Sequence, residues 1–408
     1  MRSMSTFLSY QPFASSSRAM PGHELVDLES LGILPSIGGA ERGYRVGADA
    51  LLTQTVDGRD LSALWNEFQQ TVAIHNEKRQ RLIDLLTFPV QNVIEDVPQF
   101  GGEDFEEASE FGVPKSIGTG MTYFSMAYDF KWYDLASRYT WKFLADATAQ
   151  QVESNHQVAL EADNRLLFKK VMGTLFRNTN RAATIKGQNY TVYALYNGDG
   201  TVPPEYAGNT FSGTHSHYLA SGAATVDPGD LQELIEHLRH HGFSAANGTE
   251  IVIMMNESEA NVVRWFRAGT NGAVYDFVPA QGQPALIVPN SNGLIGSQVG
   301  SRWRGLNVFG SYGPATLVSE DYIPSGYLVC LGSGGEGNLK NPIGIREHAN
   351  PGMRGLRLLP GNQSGYPLID GFYQRGFGTG IRQRGGAAVM QITTNASYAP
   401  PAAYAGAV

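Results

Sequence analysis

The sequence is poor in three features: cysteine, long hydrophobic runs and excess charge. Cys330 is the single cysteine among 408 residues, which excludes a disulfide framework within the chain. No hydrophobic run approaches the roughly 20 residues that cross a bilayer, so we expect no membrane segment and no membrane partner. A net charge of −8 disfavours tight wrapping by nucleic acid, because affinity for phosphate depends on clustered lysine and arginine.

What is present indicates an ordered protein with many turns. Hydrophobic residues make up 42% of the chain and charged residues 17%, with 48 glycines and 20 prolines. These values predict an α+β protein with strands as well as helices, in two or three compact units. Cys330 lies in the apolar run 327–331, which predicts a buried strand.

The first 89 residues divide into an arm and a helix. Residues 1–59 mix Ser, Gly, Pro and scattered apolar residues without periodicity, so we expect an extended N-terminal arm rather than a targeting segment. From residue 60, apolar side chains recur at helical spacing, which predicts an amphipathic helix over 60–89 that ends at Pro89. These side chains are Leu61, Leu64, Trp65, Phe68 and Val72.

The segment 90–128 is strongly acidic. Seven carboxylates precede its only lysine, Lys115: Glu95, Asp96, Glu103, Asp104, Glu106, Glu107 and Glu110. Glycines punctuate the run, and the alternating residues 121–126 predict a strand, so the segment is typical of a hairpin with a projecting acidic tip. Such a tip is either a solvated surface loop or a contact with a neighbouring subunit.

The remainder alternates helices and strands. Residues 136–175 lack proline, and positions at helical spacing within them predict one long helix with a buried stripe. The stripe consists of Ala149, Val152, His156, Ala159, Leu160, Asp163, Leu167 and Val171. A compact α+β unit follows to about residue 345, with short strands between Gly and Pro. The chain closes with a buried strand at 385–392 and an Ala, Pro and Tyr tail, which we expect to be mobile.

A histidine cluster is the most concentrated group of candidate ligands. Five of the nine histidines fall within 27 positions: His215, His217, His237, His240 and His241. They could assemble a metal site, but neither cysteine nor a well-placed carboxylate completes a known pattern. The alternative is that the rings pack where a loop meets a helix C-terminus, and we therefore expect no metal and no cofactor.

Motifs for catalysis are missing at several independent places. The glycine-rich run 332–338 lacks the lysine and hydroxyl residue that end a phosphate-binding loop. No nucleophile elbow of the Gly-x-Ser-x-Gly type is present. The acidic carboxylates belong to a hairpin flanked by glycines, which holds them too loosely for glycoside hydrolysis. We expect no catalytic residues and no enzyme activity.

Several stretches resemble one family. Residues 121–141 followed by the long helix look like the passage from an extended loop through a strand into the spine helix of the Hong Kong 97-type phage capsid fold. Residues 211–218 leading to 230–234 are similar to the family's entry into its axial domain. The glycine-rich run 375–382, the strand at 385–392 and residues 398–401 look like its last strands and tail.

The resemblance implies a domain plan and a function. It covers the chain from about residue 60 and implies an arm at 1–59, a helix at 60–89 and an extended loop at 90–128. It further implies a peripheral domain with the spine helix at 129–225 and 355–395, an axial domain at 226–354 and a flexible tail at 396–408. The implied function is that of a major capsid protein of a tailed double-stranded DNA phage, a structural subunit that self-assembles into an icosahedral head.

The implied partners follow from that role. The chain would contact itself in hexamers and pentamers, together with portal, scaffolding and decoration proteins, and would enclose double-stranded DNA without sequence specificity. Assembly would occur in the host cytoplasm, and the product would be the virion. The acidic loop, with Lys115, would lie on a neighbour, for which the candidate acceptors are Arg375, Arg382 and Arg384.

Some members of the family join a lysine of the extended loop to an asparagine on a neighbour with help from a glutamate. Lys115 could supply the amine, but residues 371–394, which resemble the segment with the other partners, contain no Asn, Asp or Glu. We therefore expect a shell without covalent cross-links.

Two alternative functions stay open. One is an encapsulin-type cellular compartment, which a packaged enzyme would indicate, and the other is a secreted β-rich carbohydrate-active enzyme, which would be a monomer with a cleft.

Overall fold

The computed structural model describes residues 52–77, 81–99, 107, 112, 122–185, 187–283, 298–361 and 370–406. The elements below belong to the compact unit Thr53–Val408. The helices are α1 (Leu61–Glu77), α2 (Arg81–Leu86), α3 (Trp141–Asp146), α4 (Ala149–Phe176), α5 (Pro228–Arg239) and α6 (Glu257–Val263). Within the described ranges, no helix is long and apolar enough to cross a bilayer.

The strands are short except for one. They are β1 (Thr87–Val90), β2 (Ile94–Gln99), β3 (Thr122–Ala127), β4 (Lys131–Arg138), β5 (Arg181–Ile185), β6 (Gln188–Val192), β7 (Tyr218–Ala220), β8 (Glu250–Met255), β9 (Phe277–Pro279), β10 (Arg302–Trp303), β11 (Leu306–Tyr312), β12 (Ala315–Ser319), β13 (Tyr327–Ser333), β14 (Ile343–Glu347), β15 (Leu356–Pro360), β16 (Asp370–Ile381) and β17 (Ala387–Gln391).

Two larger sheets and two hairpins organise these strands. One sheet has the order β1-β14-β16-β15, with β4 also paired to β16. The other has the order β10-β11-β12-β8-β13-β17-β7, with β9 also paired to β11. The pairs β2-β3 and β5-β6 are separate hairpins. The structure is thus a mixed α+β fold, as the sequence predicts.

The division between the sheets differs from the predicted domain boundaries. Strand β14 lies within the expected axial range 226–354, yet it pairs with β1 and β16 in the five-stranded sheet. Strands β7 and β17 lie within the expected peripheral ranges, yet they pair with each other and, through β13, with the eight-stranded sheet. The chain therefore crosses between the sheets more often than a three-segment division allows.

Helix α4 is the long helix that the sequence predicts, but it is shorter. Thr148 caps it with a capping box, in which the Thr148 hydroxyl accepts from the backbone N–H of Gln151 and the Gln151 side-chain oxygen accepts from the backbone N–H of Thr148. The predicted apolar stripe from Ala149 to Val171 is buried, which confirms the helical spacing there. The first part of the predicted helix instead forms the end of β4 and the separate helix α3.

The predicted helix over 60–89 is also interrupted. Its stripe from Leu61 to Val72 is buried in α1, but α1 ends at Glu77 and residues Thr87–Val90 form strand β1. Pro89 therefore lies in a parallel edge strand opposite Ile345, where a missing N–H is tolerated. Tertiary pairing with β14 converts the end of the predicted helix into a strand.

Two hydrophobic cores lie on opposite faces of the eight-stranded sheet. In β8, Val252 and Met254 join the core that includes the C-terminal half of α4. The alternate residues Ile251, Ile253 and Met255 join the core beneath α5. Both faces are buried, which explains why this strand is apolar along its length. Cys330 in β13 is fully buried, as predicted, and burial raises the pKa of its thiol.

The glycine-rich strand β16 allows a second layer of chain to lie directly on the sheet. A Cβ at Gly378 would come within 1.5 Å of the Asp129 carbonyl oxygen, and one at Gly380 within 2.7 Å of the Tyr128 ring. Only glycine permits so close an approach of the segment that joins β3 to β4. This packing fixes where the β2-β3 hairpin leaves the body of the protein.

The end of the chain differs from the predicted mobile tail. The Tyr398 hydroxyl donates to the Phe176 carbonyl at 2.8 Å, and the Tyr404 ring stacks on Phe176 at 5.4 Å between centroids. The Tyr404 hydroxyl also donates to the Tyr322 carbonyl at 2.8 Å. Tyrosine rings therefore anchor residues 398–404 against the end of α4.

Candidate functional site

The predicted contact residues of the acidic loop lie mostly outside the described residues. Glu103, Asp104, Glu106, Glu110 and Lys115 belong to that group, and Glu107 is described and exposed. The paired strands β2 and β3 that carry the loop form the predicted hairpin, with Ile94 opposite Ala127 and Gln99 opposite Thr122. The loop therefore begins and ends on one two-stranded ribbon.

Arg375 is not available to a neighbour, contrary to the prediction. It is buried, and it donates to both carboxylate oxygens of Asp163 in α4, at 2.5 and 2.7 Å. His75 in α1 contacts the same carboxylate at 2.9 Å. The three side chains join α1, α4 and β16, so this arginine has a role within the subunit.

Arg384 is likewise internal, which corrects the second predicted acceptor. Its side chain donates to the Ala194 carbonyl at 2.8 Å and to Asp199 at 2.9 Å, and it lies over the ring of Tyr196. Burial alone would raise the pKa of Asp199, but a hydrogen bond from Asn180 and the charge of Arg384 lower it to about 2. The arginine holds the loop after β6 against the turn before β17.

Arg382 holds the base of the hairpin of its own subunit. Its Nε donates to Glu95 in β2 at 2.7 Å, and the Tyr128 hydroxyl donates to the other oxygen of that carboxylate at 2.9 Å. The pKa of Tyr128 is raised by burial and then by the charge of Glu95. The third predicted acceptor is therefore paired with one of the predicted acidic residues within the same chain.

A surface on the side of β4 was not identified from the sequence. Within the described chain β4 pairs with β16 alone, so one of its edges has no partner strand. Leu135 in β4 and Val158 in α4 are exposed and line the same groove, and Trp141 in α3 is 65% exposed. We call Leu135, Trp141, Phe143 and Val158 the β4 surface.

A second exposed apolar group follows α6. The backbone N–H of Phe277 donates to the Phe266 carbonyl at 3.1 Å, which closes residues 266–277 into a loop. Around this loop Val262, Trp265, Val274 and Tyr275 are exposed, and Trp265 reaches 63%. We call these four residues the α6 surface. Tryptophans with this exposure are typical of protein interfaces.

The histidine cluster forms where the loop before β7 meets the C-terminus of α5. Asp227 caps this helix with Asp230, and Pro228 occupies its first turn, so the sequence determines where α5 begins. Its other end brings His240 and His241 to His215 and His217. One ring nitrogen from each of these four residues lies within 4.8 Å of the others.

The rings of the cluster lie close to one another. His215 Nε2 lies 3.0 Å from His241 Nε2 and 3.1 Å from His217 Nε2. His217 Nδ1 donates to the carbonyl of Ala387 in β17 at 2.7 Å. His237 lies beside the cluster, and its Nδ1 bonds to the Glu233 carbonyl at 2.9 Å. The histidines therefore gather where the loop before β7 meets the C-terminus of α5.

Burial dominates the electrostatics of the cluster. It lowers the pKa of His215 and of His240 to about 4, and that of His241 to about 3, with smaller effects from neighbouring histidines. His217 is fully buried, and its pKa is also lowered well below the usual value. All four rings are therefore neutral at pH 7.

The comparisons with known proteins include a strong similarity to a phage structure. A solved structure from Mycobacterium phage Patience is 49% identical to this chain, covering 91% of this chain and 98% of that one with a TM-score of 0.70. The capsid of an empty GTA particle is 13% identical, covering 78% and 90%, with a TM-score of 0.41. No protein-family model and no curated protein matches.

The encapsulin alternative gains no support from these similarities. The holo-SrpI encapsulin complex from Synechococcus elongatus is 13% identical, covering 88% of this chain and 99% of that one, with a TM-score of 0.38. At that identity and that TM-score it carries no conclusion for this chain. The phage structure at 49% identity is the similarity on which an assignment rests.

Proposed function

The chain belongs to the Hong Kong 97-type major capsid proteins of tailed phages, and from this we propose that its copies close into an icosahedral shell of hexamers and pentamers. The observation that carries the proposal is the 49% identity over 91% of the chain. The proposed role is structural, without catalysis. A shell of this kind derives its stability from many repeated contacts, each of which is individually weak.

The β4 surface is the first proposed contact between subunits. An unpaired strand edge presents free backbone donors and acceptors, and exposed apolar side chains beside it favour association. Trp141 and Phe143 of α3 stand next to this edge in the sequence, and Val158 continues the apolar groove onto α4. We assign a neighbouring subunit as the partner that covers them.

The acidic loop is proposed to lie on basic side chains around that surface. With Arg375 and Arg384 buried and Arg382 paired, the exposed bases beside β4 are the best acceptors in the described chain. Lys131 and Lys142 are exposed, and the Arg138 side chain is 72% exposed. Opposite charges on loop and acceptor would set the register between subunits more than the affinity.

The other proposed partners follow from the family. Portal and scaffolding proteins would direct assembly in the host cytoplasm, decoration proteins could cover the finished shell, and the completed virion would enclose double-stranded DNA. Recognition of the DNA would be non-specific, since the chain has a net charge of −8 and is not built for tight phosphate binding. The predicted axial and peripheral domains remain part of this proposal.

Electron microscopy of the purified full-length chain tests the proposal. Copies of the unmodified chain, or of the chain expressed with its scaffolding protein, should form closed particles. Leu135→Lys places a charge on the β4 surface and should leave folded, unassembled subunits. Leu339→Lys makes the same chemical change at another exposed leucine and serves as the matched control.

The outcomes separate the alternatives. A purified chain that stays monomeric under all conditions would overturn the shell proposal, whereas particles from Leu135→Lys would overturn only the assignment of the β4 surface.

A separate variant tests the acidic loop. Replacing Glu103, Asp104, Glu106 and Glu107 by the corresponding amides should lower the particle yield. Normal yield from that fourfold variant would show that the loop is merely solvated.

A further inference from the structure

We propose that the histidine cluster binds one divalent first-row transition-metal ion, with Zn²⁺ as the reference ion, through ring nitrogens of His215, His217, His240 and His241. The inference goes beyond the shell function and does not depend on it. It corrects the expectation from the sequence that the cluster holds no metal. Imidazole is a preferred ligand for zinc, copper and nickel, and four protein ligands are typical of a structural rather than a catalytic zinc site.

The spacing of the nitrogens fits a tetrahedral ion. Zinc–nitrogen bonds of about 2.0–2.1 Å place two ligands of a tetrahedron about 3.3–3.4 Å apart. The two Nε2 separations around His215 are 3.0 and 3.1 Å, and the whole group lies within 4.8 Å. Small ring rotations would therefore complete the geometry. Histidines alone make up this group among the described residues, so all its ligands are neutral.

The hydrogen bonds bring the Nε2 atoms of three rings together and settle the tautomer of His217. A carbonyl can only accept, so His217 Nδ1 carries the proton that bonds to Ala387, and the neutral ring has a lone pair on Nε2. His215 Nε2 faces this lone pair and His241 Nε2 at once. A single proton on His215 Nε2 would have to serve both neighbours, whereas a cation would accept a lone pair from every ring.

The surroundings orient the rings as in known metal sites. A histidine ligand commonly donates its second ring N–H to a carbonyl, which is what His217 does. The His241 ring is stacked on one side by Phe211, 4.4 Å away between centroids, and contacts Tyr196 at 5.6 Å. His240 Nε2 is buried without a hydrogen-bond partner, so a metal would satisfy it.

The ion would join three distant parts of the chain. His215 and His217 precede β7, His240 and His241 end α5, and β17 supplies the carbonyl that holds His217. These segments meet beside the core under α5, where His217 is fully buried. A metal at this point would fasten α5 to the edge of the eight-stranded sheet, which is a structural role.

Metal analysis of the full-length chain tests the site. Protein stripped with a chelator and dialysed against Zn²⁺ should retain about one ion per subunit and unfold at a temperature at least about 3 °C higher than the stripped protein. Substituting Co²⁺ should give the intense visible absorption of tetrahedral coordination. This cobalt measurement uses the unmodified chain, so it stays decisive even if variants fail to fold.

Variants identify the ligands. The double variant His215→Ala and His241→Ala should lose Zn²⁺ affinity by more than about 100-fold, because two of four ligands are removed. His348→Gln changes a histidine outside the cluster and should bind as the unmodified chain does. Three results would each overturn the proposal. They are equal Zn²⁺ binding by the double variant and His348→Gln, no Zn²⁺ retained by the unmodified chain after dialysis against Zn²⁺, and an octahedral cobalt spectrum.

Discussion

At the scale of single residues, Asp163 shows how a sequence pattern can reveal a buried charge. It occupies a core position of the apolar stripe of α4, where a carboxylate requires partners, and the partners are Arg375 and His75. The sequence indicated that Asp163 lies on the buried side. It could not indicate Arg375 as the partner, because their meeting depends on how β16 packs against α4.

Removing the charge of Asp163 from its pair with Arg375 should lower the free energy of unfolding. Asp163→Asn leaves the guanidinium of Arg375 buried without its counter-charge, and we expect a loss of about 3–5 kcal/mol in the free energy of unfolding. Chemical denaturation of unassembled subunits measures it. Glu161→Gln on the same helix breaks only the exposed contact with Arg165 at 3.8 Å, so its effect should be under about 0.5 kcal/mol. Similar losses in both variants would contradict the buried pair.

His156 makes stability depend on pH. Burial, with a smaller effect from His75, lowers the pKa of His156 to about 4 in the folded chain, from 6.5 in the unfolded chain. The unfolded chain therefore binds a proton at this position first as the pH falls, so the contribution of His156 to the free energy of unfolding decreases from about pH 6.5 and levels off near pH 4.

His156→Asn should reduce this dependence. The variant removes the titrating ring that stacks on Phe68 and bonds to Tyr373, so it should be less stable at neutral pH. It should also lose less stability on acidification, by up to about 3 kcal/mol relative to the unmodified chain. Denaturation curves at a series of pH values compare the two slopes, and parallel slopes would refute the assignment to His156.

At the scale of secondary-structure elements, the hairpin β2-β3 depends on a contact at its base. Glu95 receives hydrogen bonds from Arg382 and Tyr128, whereas the neighbouring Asp96 bonds to Ser125 within the hairpin itself. The first contact joins the hairpin to the body of the subunit. The second joins only its two strands.

Glu95→Gln should therefore release the hairpin without unfolding the subunit. We expect hydrogen exchange in residues 94–99 and 122–127 to become faster by on the order of 10-fold, since a charge-assisted bond is lost. Exchange in α4 should be unchanged. Asp96→Asn is the matched control and should have the smaller effect on these segments. Equal acceleration in both variants would mean that Glu95 does not anchor the hairpin.

The helices and strands also differ in how far they could be predicted from the sequence. Local periodicity located α1 and α4, because burial of one helical face depends on residues near in sequence. It missed β1, which lies in the predicted helix 60–89, and it assigned the end of β4 from residue 136 onward to the predicted long helix. Both strands exist because of pairing with β14 and β16, which are distant in the chain, and local propensity carries no information on such partners.

At the scale of the whole molecule, we predict a shell held without covalent cross-links. The segment 371–394 has no Asn, Asp or Glu, and its glutamines are occupied within the chain. Gln374 accepts from Arg357, Gln383 donates to the Leu339 carbonyl and Gln391 accepts from the Ala399 backbone. A lysine such as Lys115 would find neither an acid to move protons nor a free amide.

Boiling mature particles in detergent checks this prediction. A single band at the 44.2 kDa monomer, or slightly below it if the arm is trimmed, is the expected result. Non-covalent shells dissociate under these conditions, whereas isopeptide bonds survive. A ladder of covalent oligomers would refute the prediction, and mass spectrometry of its bands would identify the joined residues.

The position of β16 determines when the subunit can fold during its synthesis. Strand β4 leaves the ribosome early, but its partner β16 follows only after residues 139–369 have been made, and β1 similarly waits for β14. At typical rates the full chain takes roughly 20–80 s to translate. Throughout most of that time β4 has both edges open and its apolar residues exposed, which makes nascent chains prone to aggregate.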